Sequence, residues 1–204
     1  PGLIVPHIDY HRGGHCYAHG YRELTRHGKP DTVIVFGVAH MAEPVPFILT
    51  RKSFDTPLGV VEADTDCLAA IAAACDWDPY AYELTHRTEH SVELQAVMIA
   101  HALGPDTKIV PILCSIFPDE SRETDPAEDQ GVEQFLAACR DYVNNSGKRV
   151  TVIASADLAH VGKRFGDDFD IDDAILSRVR LRDEEDMEHA HRIDGPSFYR
   201  SVMK

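Results

Sequence analysis

Three apolar stretches of this chain each hand over to a histidine within a few residues of their carboxyl ends. Gly2 to Pro6 leads into His7, Val33 to Val38 into Ala39-His40, and Val150 to Ala154 into Ser155-Ala156-Asp157-Leu158-Ala159-His160. In an open α/β sheet, ligands bind outside the carboxyl ends of the strands. If these strands are neighbours, the three imidazoles converge on one crevice. Two neutral imidazoles plus an anionic ligand suit Fe(II) as a facial triad, or a catalytic zinc that keeps an open position. An imidazole can also take or give a proton near neutral pH. The competing reading is three separate loop histidines, each held by its own hydrogen bond.

A fourth candidate lies in Thr88-Glu89-His90-Ser91-Val92-Glu93, at a predicted helix start. Thr88 is a candidate N-cap there, and the acids fit the first turn of a helix through its dipole. His90 has equal standing as a capping-region residue and as a ligand. His7, His11, His15 and His19 recur at spacing four, which on one helix face could clamp an ion. Pro6 and the Gly13-Gly14 pair argue against a single helix through them. His11 is therefore expected in a loop, with His15 and His19 structural.

The elements that must position these residues follow from hydropathy. The second and third of the His-terminated runs are apolar at nearly every position, the mark of strands buried on both faces. Ile109 to Cys114 is a further strand, and Val45 to Leu49 an edge or irregular one because Pro46 cannot donate to a ladder. Helical patterns cover His15 to Thr25, Asp64 to Cys75, Glu89 to Leu103 and Glu128 to Val143, with weaker ones at Asp172 to Val179 and Pro196 to Met203. Pro118 to Gln130 reads as a polar acidic loop, and Asp167 to Asp173 and Asp183 to Glu188 as solvated acidic surface. Strands alternating with helices predict a layered α/β fold, with a mostly parallel or mixed central sheet flanked by helices.

Composition bounds the function classes. The 204 residues are 44% hydrophobic and 26% charged, ordinary for a single globular domain over 1–204. A net charge of −14 excludes the basic footprint of a nucleic-acid or anionic-membrane binder. No apolar run approaches the roughly 18 residues of a membrane span, and no signal peptide opens the chain. The five cysteines are Cys16, Cys67, Cys75, Cys114 and Cys139. Their odd number and spacing argue against a disulfide framework or a zinc ribbon and read as small buried hydrophobes in a reducing cytoplasm. The chain opens at Pro1 without Met and enters a strand at once, which reads as a fragment or as the ordered part of a longer chain.

Five motifs occur in order over nearly the whole chain: Val5-Pro6-His7-x-x-Tyr10 with Gly13-Gly14, Phe36-Gly37-Val38-Ala39-His40, Phe54-Asp55-Thr56-Pro57-Leu58-Gly59, Glu89-His90-Ser91-Val92-Glu93, and Ser155-Ala156-Asp157-Leu158-Ala159-His160. Together they resemble the Memo family (AmmeMemoRadiSam system protein B in bacteria and archaea), which is related to the class III LigB-type extradiol dioxygenases. The second motif departs from the usual Gly-Pro-(Ser/Asn)-His but keeps its His. The resemblance implies a dioxygenase-like α/β fold, with His7 and His40 on the two metal-binding histidines. It places His160, with Asp157, on an active-site acid/base position, and His90 near the same crevice. It also implies a third ligand near the carboxyl terminus, beyond Lys204, that is a glutamate in the ring-opening enzymes and commonly a cysteine in Memo proteins. None of the five cysteines here sits at that place.

These readings give one divalent ion per chain, Fe(II) or Zn(II), and an oxidoreductase of dioxygenase type. The alternatives are an adaptor that uses the same crevice for a peptide or partner protein without turnover, and a zinc hydrolase. A small-molecule or peptide ligand and an oligomer fit the site; nucleic acid and membrane do not. His11, Arg12 and His15 near His7, and Lys163-Arg164 after His160, are local positive spots that would suit an anionic ligand. Ordinary surface ion pairing is the favoured account of them.

Overall fold

Unbroken apolar sequence forces a strand to find cover on both faces, and Val33, Ile34 and Val35 show how that is met. Val33 and Val35 pack into one core with Tyr17, Tyr21, Ala96 and Ile99, while Ile34 packs into a second with Leu68, Ile71 and Phe135. The alternation of side chains along a strand sends successive residues to opposite faces, so one continuous run supplies two cores. The structure is a computed structural model and describes residues 2–41, 43–115 and 126–203. These fall into two compact units, residues 2–41, 43–115 and 126–156 in the first and 157–203 in the second.

The first unit holds a five-stranded sheet in the order β1-β7-β2-β6-β3. The strands are β1 (Gly2–Val5), β2 (Thr32–Val38), β3 (Phe47–Leu49), β6 (Lys108–Cys114) and β7 (Val150–Ser155). A separate hairpin pairs β4 (Phe54–Thr56) with β5 (Gly59–Val61). Pairings β1–β7, β7–β2 and β2–β6 are parallel, and β3 is an antiparallel edge. The edge position of β3 accords with Pro46 preceding it. Helices α1 (Tyr10–Arg26) and α3 (Glu93–Ala102) contribute to the first core, and α2 (Thr65–Ala72) and α4 (Gln130–Asn145) to the second. The result is a layered α/β unit with a mixed sheet between helices. Because β1 and β2 both neighbour β7, the three His-terminated strands lie side by side with their carboxyl ends at one edge.

Helix α1 departs from expectation. It starts at Tyr10 and runs through Gly13-Gly14, so His11, His15 and His19 share one helix, all exposed. Asp9 caps it, its side chain accepting from the amide of Arg12. Gly13 is a contact residue rather than a breaker: a Cβ there would lie 2.6 Å from Ile8 Cγ2. The interior stripe Gly13, Tyr17, Tyr21 and Leu24 supplies the packing that offsets the glycine cost. Helix α3 begins at Glu93, four residues beyond Glu89, and Thr88 is not its cap; its hydroxyl donates to Thr85 O at the end of a 3-10 turn, Glu83–Arg87. His90 thus precedes the helix.

The second unit carries a 3-10 turn (Lys163–Phe165), helix α5 (Asp173–His191) and helix α6 (Gly195–Val202). Helix α5 is far longer than its weak periodicity predicts. The guanidinium of Arg182 joins the two helices by donating to Ser201 O and also faces Asp186. Asp186 is buried, a correction to the reading of Asp183 to Glu188 as solvated surface, because it sits on the turn of α5 that packs against α6. Of the loop Pro118 to Gln130, residues 118–125 lie outside the described residues; Asp129 caps α4 and Gln130 opens it. Among the described residues no helix is long and apolar enough to cross a membrane.

All five cysteines are free thiols. Cys67 and Cys139 are buried, Cys75 and Cys114 half-buried, and Cys16 is exposed on α1, against the expectation that all five are core residues. Burial pushes the Cys114 and Cys139 thiols up to about 12, which keeps them protonated and inert.

The amino edge of the sheet is held by one buried carboxylate. Asp64 is fully buried and caps α2 through Cys67 N, while its Oδ2 accepts from Thr32 Oγ1 at 2.6 Å and Lys148 Nζ at 2.9 Å. Burial alone would raise its pKa, but these donors outweigh burial and hold it below its ordinary 3.8. Its stabilisation is therefore present above the unfolded-state pKa and is lost as pH falls through the lower folded value. We expect Asp64→Ala to lower unfolding free energy at neutral pH by about 3 kcal/mol, since it removes the α2 cap together with the buried acceptor of Thr32 and of half-buried Lys148. In urea titrations the gap between wild type and variant narrows as pH falls from about 5 toward about 2.

Candidate metal centre

His7, His40 and His90 come from three separate segments and meet at the carboxyl edge of the sheet. One nitrogen of each lies within 4.8 Å of those of the other two. The ring centroids of His7 and His40 are 5.2 Å apart with the planes nearly perpendicular, and those of His40 and His90 are 4.9 Å apart and stacked. His7 is buried, and His40 and His90 are exposed, so the group has a floor and an open mouth.

Hydrogen bonds decide which nitrogen each ring presents. His7 Nδ1 lies 2.9 Å from the carbonyl of Ser155. A carbonyl can only accept, so Nδ1 carries the proton and the lone pair is on Nε2. His40 Nδ1 lies 2.7 Å from Glu89 Oε2, and the other oxygen, Oε1, accepts the His40 backbone amide at 2.7 Å. Glu89 is itself only 5% exposed. Its carboxylate fixes both the backbone and the ring of His40, with the proton on Nδ1 and the lone pair on Nε2. Carboxylate or carbonyl acceptors behind the ring are how metal-ligating imidazoles are oriented and made more basic.

A second set of bonds fixes the segment that carries His90. Ser91 Oγ donates to Val38 O and accepts from Val38 N, so it pairs with the end of β2 as a strand neighbour would. That approach needs Gly37, where a Cβ would lie 2.5 Å from Ser91 Oγ. Ser155 Oγ donates to Ser91 O at 2.6 Å, and Gln95 Nε2 donates to Ser155 Oγ and to Pro6 O. Tyr21 OH in turn donates to Gln95 Oε1. The ends of β1, β2 and β7 are thereby tied to one loop, and every tie is buried or half-buried.

Of the residues named from sequence, His7, His40 and His90 are brought together. His160 and Asp157 belong to the second unit, where His160 Nε2 faces Asp157 Oδ2 at 3.7 Å and the His160 ring stands edge-on to Phe165. The positive spots are partly consumed by ion pairs, Arg12 with Asp9 and Lys163 with Asp170, each at 2.5 Å. Sequence reasoning missed the roles of Glu89, Ser91 and Gln95. No local signal pairs Glu89 with His40, 49 residues away; beside His90 it reads as a first-turn acid.

Comparison with known proteins gives the chain its family. A family model described as Memo-like protein matches residues 1–204. The chain belongs to the Memo-like family. A MEMO1 family protein of Methanococcoides burtonii is 36% identical over 160 residues, covering 78% of this chain and 54% of that protein. One from Methanosarcina acetivorans is 29% identical over 204 residues, covering 100% of this chain and 66% of that protein. One from Thermococcus kodakarensis is 32% identical over 170 residues, covering 80% and 54%. The chain thus spans between about half and two thirds of the length of these curated relatives.

The Memo-like chain's three imidazoles fit an ion in donor type, and His7 and His40 fit it in tautomer as well. Bonds of about 2.1 Å in tetrahedral geometry would set the nitrogens about 3.4 Å apart, inside the 4.8 Å within which all three lie. We expect Glu89→Gln to weaken Co(II) or Zn(II) binding by about 10- to 100-fold, without loss of fold by circular dichroism. An unchanged affinity in isothermal titration would remove Glu89 from the site.

Proposed function

We propose that this Memo-like protein binds one divalent ion through His7, His40 and His90 and is an Fe(II)-dependent oxidoreductase of dioxygenase type. The observation that carries the reading is the meeting of three imidazoles from distant segments, two of them with the tautomer set by an acceptor behind the ring. An ion held there would supply either O₂ activation toward an electron-rich substrate, for Fe(II), or acidification of water, for zinc.

The chain's own residues do the rest. Buried His7 fixes the floor of the site, and its bond to Ser155 O keeps it from turning. Glu89 holds His40 in one orientation before any ligand arrives, so little reorganisation remains to be made on binding. The open side at His40 and His90 admits a small molecule. By the family resemblance alone, His160, whose Nε2 stands 3.7 Å from Asp157 Oδ2 within the second unit, is the proposed proton carrier of the reaction.

A second reading rests on the donor set. Two histidines with a carboxylate are the Fe(II) pattern, whereas three histidines are a catalytic zinc pattern. Glu89 lies behind His40 rather than beside the ion, so the three-imidazole set favours zinc-assisted hydrolysis as the alternative.

The test is metal content and turnover on the same protein. After anaerobic reconstitution with Fe(II), and separately with zinc, we expect one ion per chain by mass spectrometry, lost in His7→Ala and in His40→Ala. Catechol-dependent O₂ uptake by the iron form, abolished in His160→Ala with metal retained, supports the oxidoreductase. Ester hydrolysis by the zinc form alone supports the second reading. A wild-type protein that takes up neither metal overturns both.

A further inference from the structure

Away from the three histidines, the first unit encloses a cavity of about 450 Å³ between the β4 hairpin, the 3-10 turn Glu83–Arg87 and α3. That is within the size range of small-molecule sites. None of His7, His40 or His90 lines it. Its apolar wall includes Phe54, Pro57 and Val97, and Leu84, an aliphatic side chain left 81% exposed, lines it as well.

One lining residue carries an unmet hydrogen-bond acceptor. His86 is only 9% exposed, and its Nε2 lies 3.1 Å from Ile48 O. The carbonyl accepts, so Nε2 carries the proton and Nδ1 is a bare acceptor. Nδ1 is buried and has no hydrogen-bond partner among the described residues. Burial drives the imidazole's pKa down to about 4, so the ring is neutral and its acceptor stays available at neutral pH. A buried acceptor without a donor is costly, and native structures rarely leave one so. Glu83 does not relieve it, since its carboxylate, held below the ordinary range by Thr50 and Arg51, has no proton to donate.

We propose that this cavity is a second binding site, for a small and mainly apolar molecule whose hydroxyl or amine donates a hydrogen bond to His86 Nδ1. The charges agree with a donor rather than an anion. Asp55, Glu83 and Glu93 face Lys52 and Arg87 around the cavity, three carboxylates against two cations. A carboxylate ligand would meet net repulsion and could not donate to His86.

The test compares probes of nearly one shape, phenol, toluene and anisole, on the full chain without added metal. Titrations are followed by amide shifts and by the imidazole ¹⁵N shift of His86. We expect phenol to move Thr56, Leu84 and Val97 amides, to shift His86 Nδ1 toward the hydrogen-bonded position, and to bind about tenfold more tightly than toluene or anisole. In His86→Phe the preference for phenol disappears while toluene still binds. Because that variant also loses the bond to Ile48, Val97→Trp serves as the independent control; it narrows the cavity and weakens binding of all three. Equal binding of phenol and toluene by the wild type, shifts confined to His7, His40 and His90, or no shifts at probe saturation would each overturn the assignment. Failure here leaves the metal-site reading untouched, since the two sites share no lining residue.

Discussion

The arrangement of the site depends on one loop being hydrogen-bonded to three strand ends at once. Ser91 closes onto Val38 of β2, Ser155 of β7 reaches Ser91, and Gln95 reaches both Ser155 and Pro6 after β1. Parallel strands end with unpaired backbone groups, and buried polar groups must be satisfied. Here the same bonds that satisfy those ends set the distance between the segments bearing His7, His40 and His90. A side chain at Gly37 would push the loop away from β2, so the smallest residue in the sequence is what permits the closest approach.

The two edges of the sheet have different work. At the amino edge Asp64, Thr32 and Lys148 form a buried charged knot that joins β2, α2 and the segment leading into β7. At the carboxyl edge the groups that tie the strand ends together are amides and hydroxyls, and the carboxylate of Glu89 is directed at His40. Stability that depends on a charged pair is thereby kept apart from residues that must present lone pairs. A change in protonation at one edge need not disturb the geometry of the other.

His86 and the group of His7, His40 and His90 illustrate two fates of histidine within one unit. His7 and His40 each have an acceptor behind Nδ1 and so present Nε2 at the carboxyl edge. His86 has its acceptor at Nε2 and presents Nδ1 instead, buried and without protein donors among the described residues. Tautomer and surroundings, rather than residue type, decide whether an imidazole is offered to a cation or to a hydrogen-bond donor.

The sequence by itself determined the five strands of the main sheet, because residues covered on both faces are apolar at nearly every position and these runs are too short for helices, whereas the β4–β5 hairpin carries no such run. It also determined that His7 and His40 stand at strand ends, and that Asp64 caps a helix. The course of α1 through Gly13-Gly14, the late start of α3 and the length of α5 were decided by tertiary structure. In each case packing of the interior stripe, or the demand for a close approach, outweighed local propensity. The partnership of Glu89 with His40 was likewise decided only in the fold, since it joins residues whose separation in sequence carries no signal. So was the burial of Asp186 and the exposure of Cys16, which depend on which side of a helix meets a neighbour. Local chemistry is written residue by residue, whereas the pairing of distant donors and acceptors exists only once the chain has brought them within hydrogen-bonding reach.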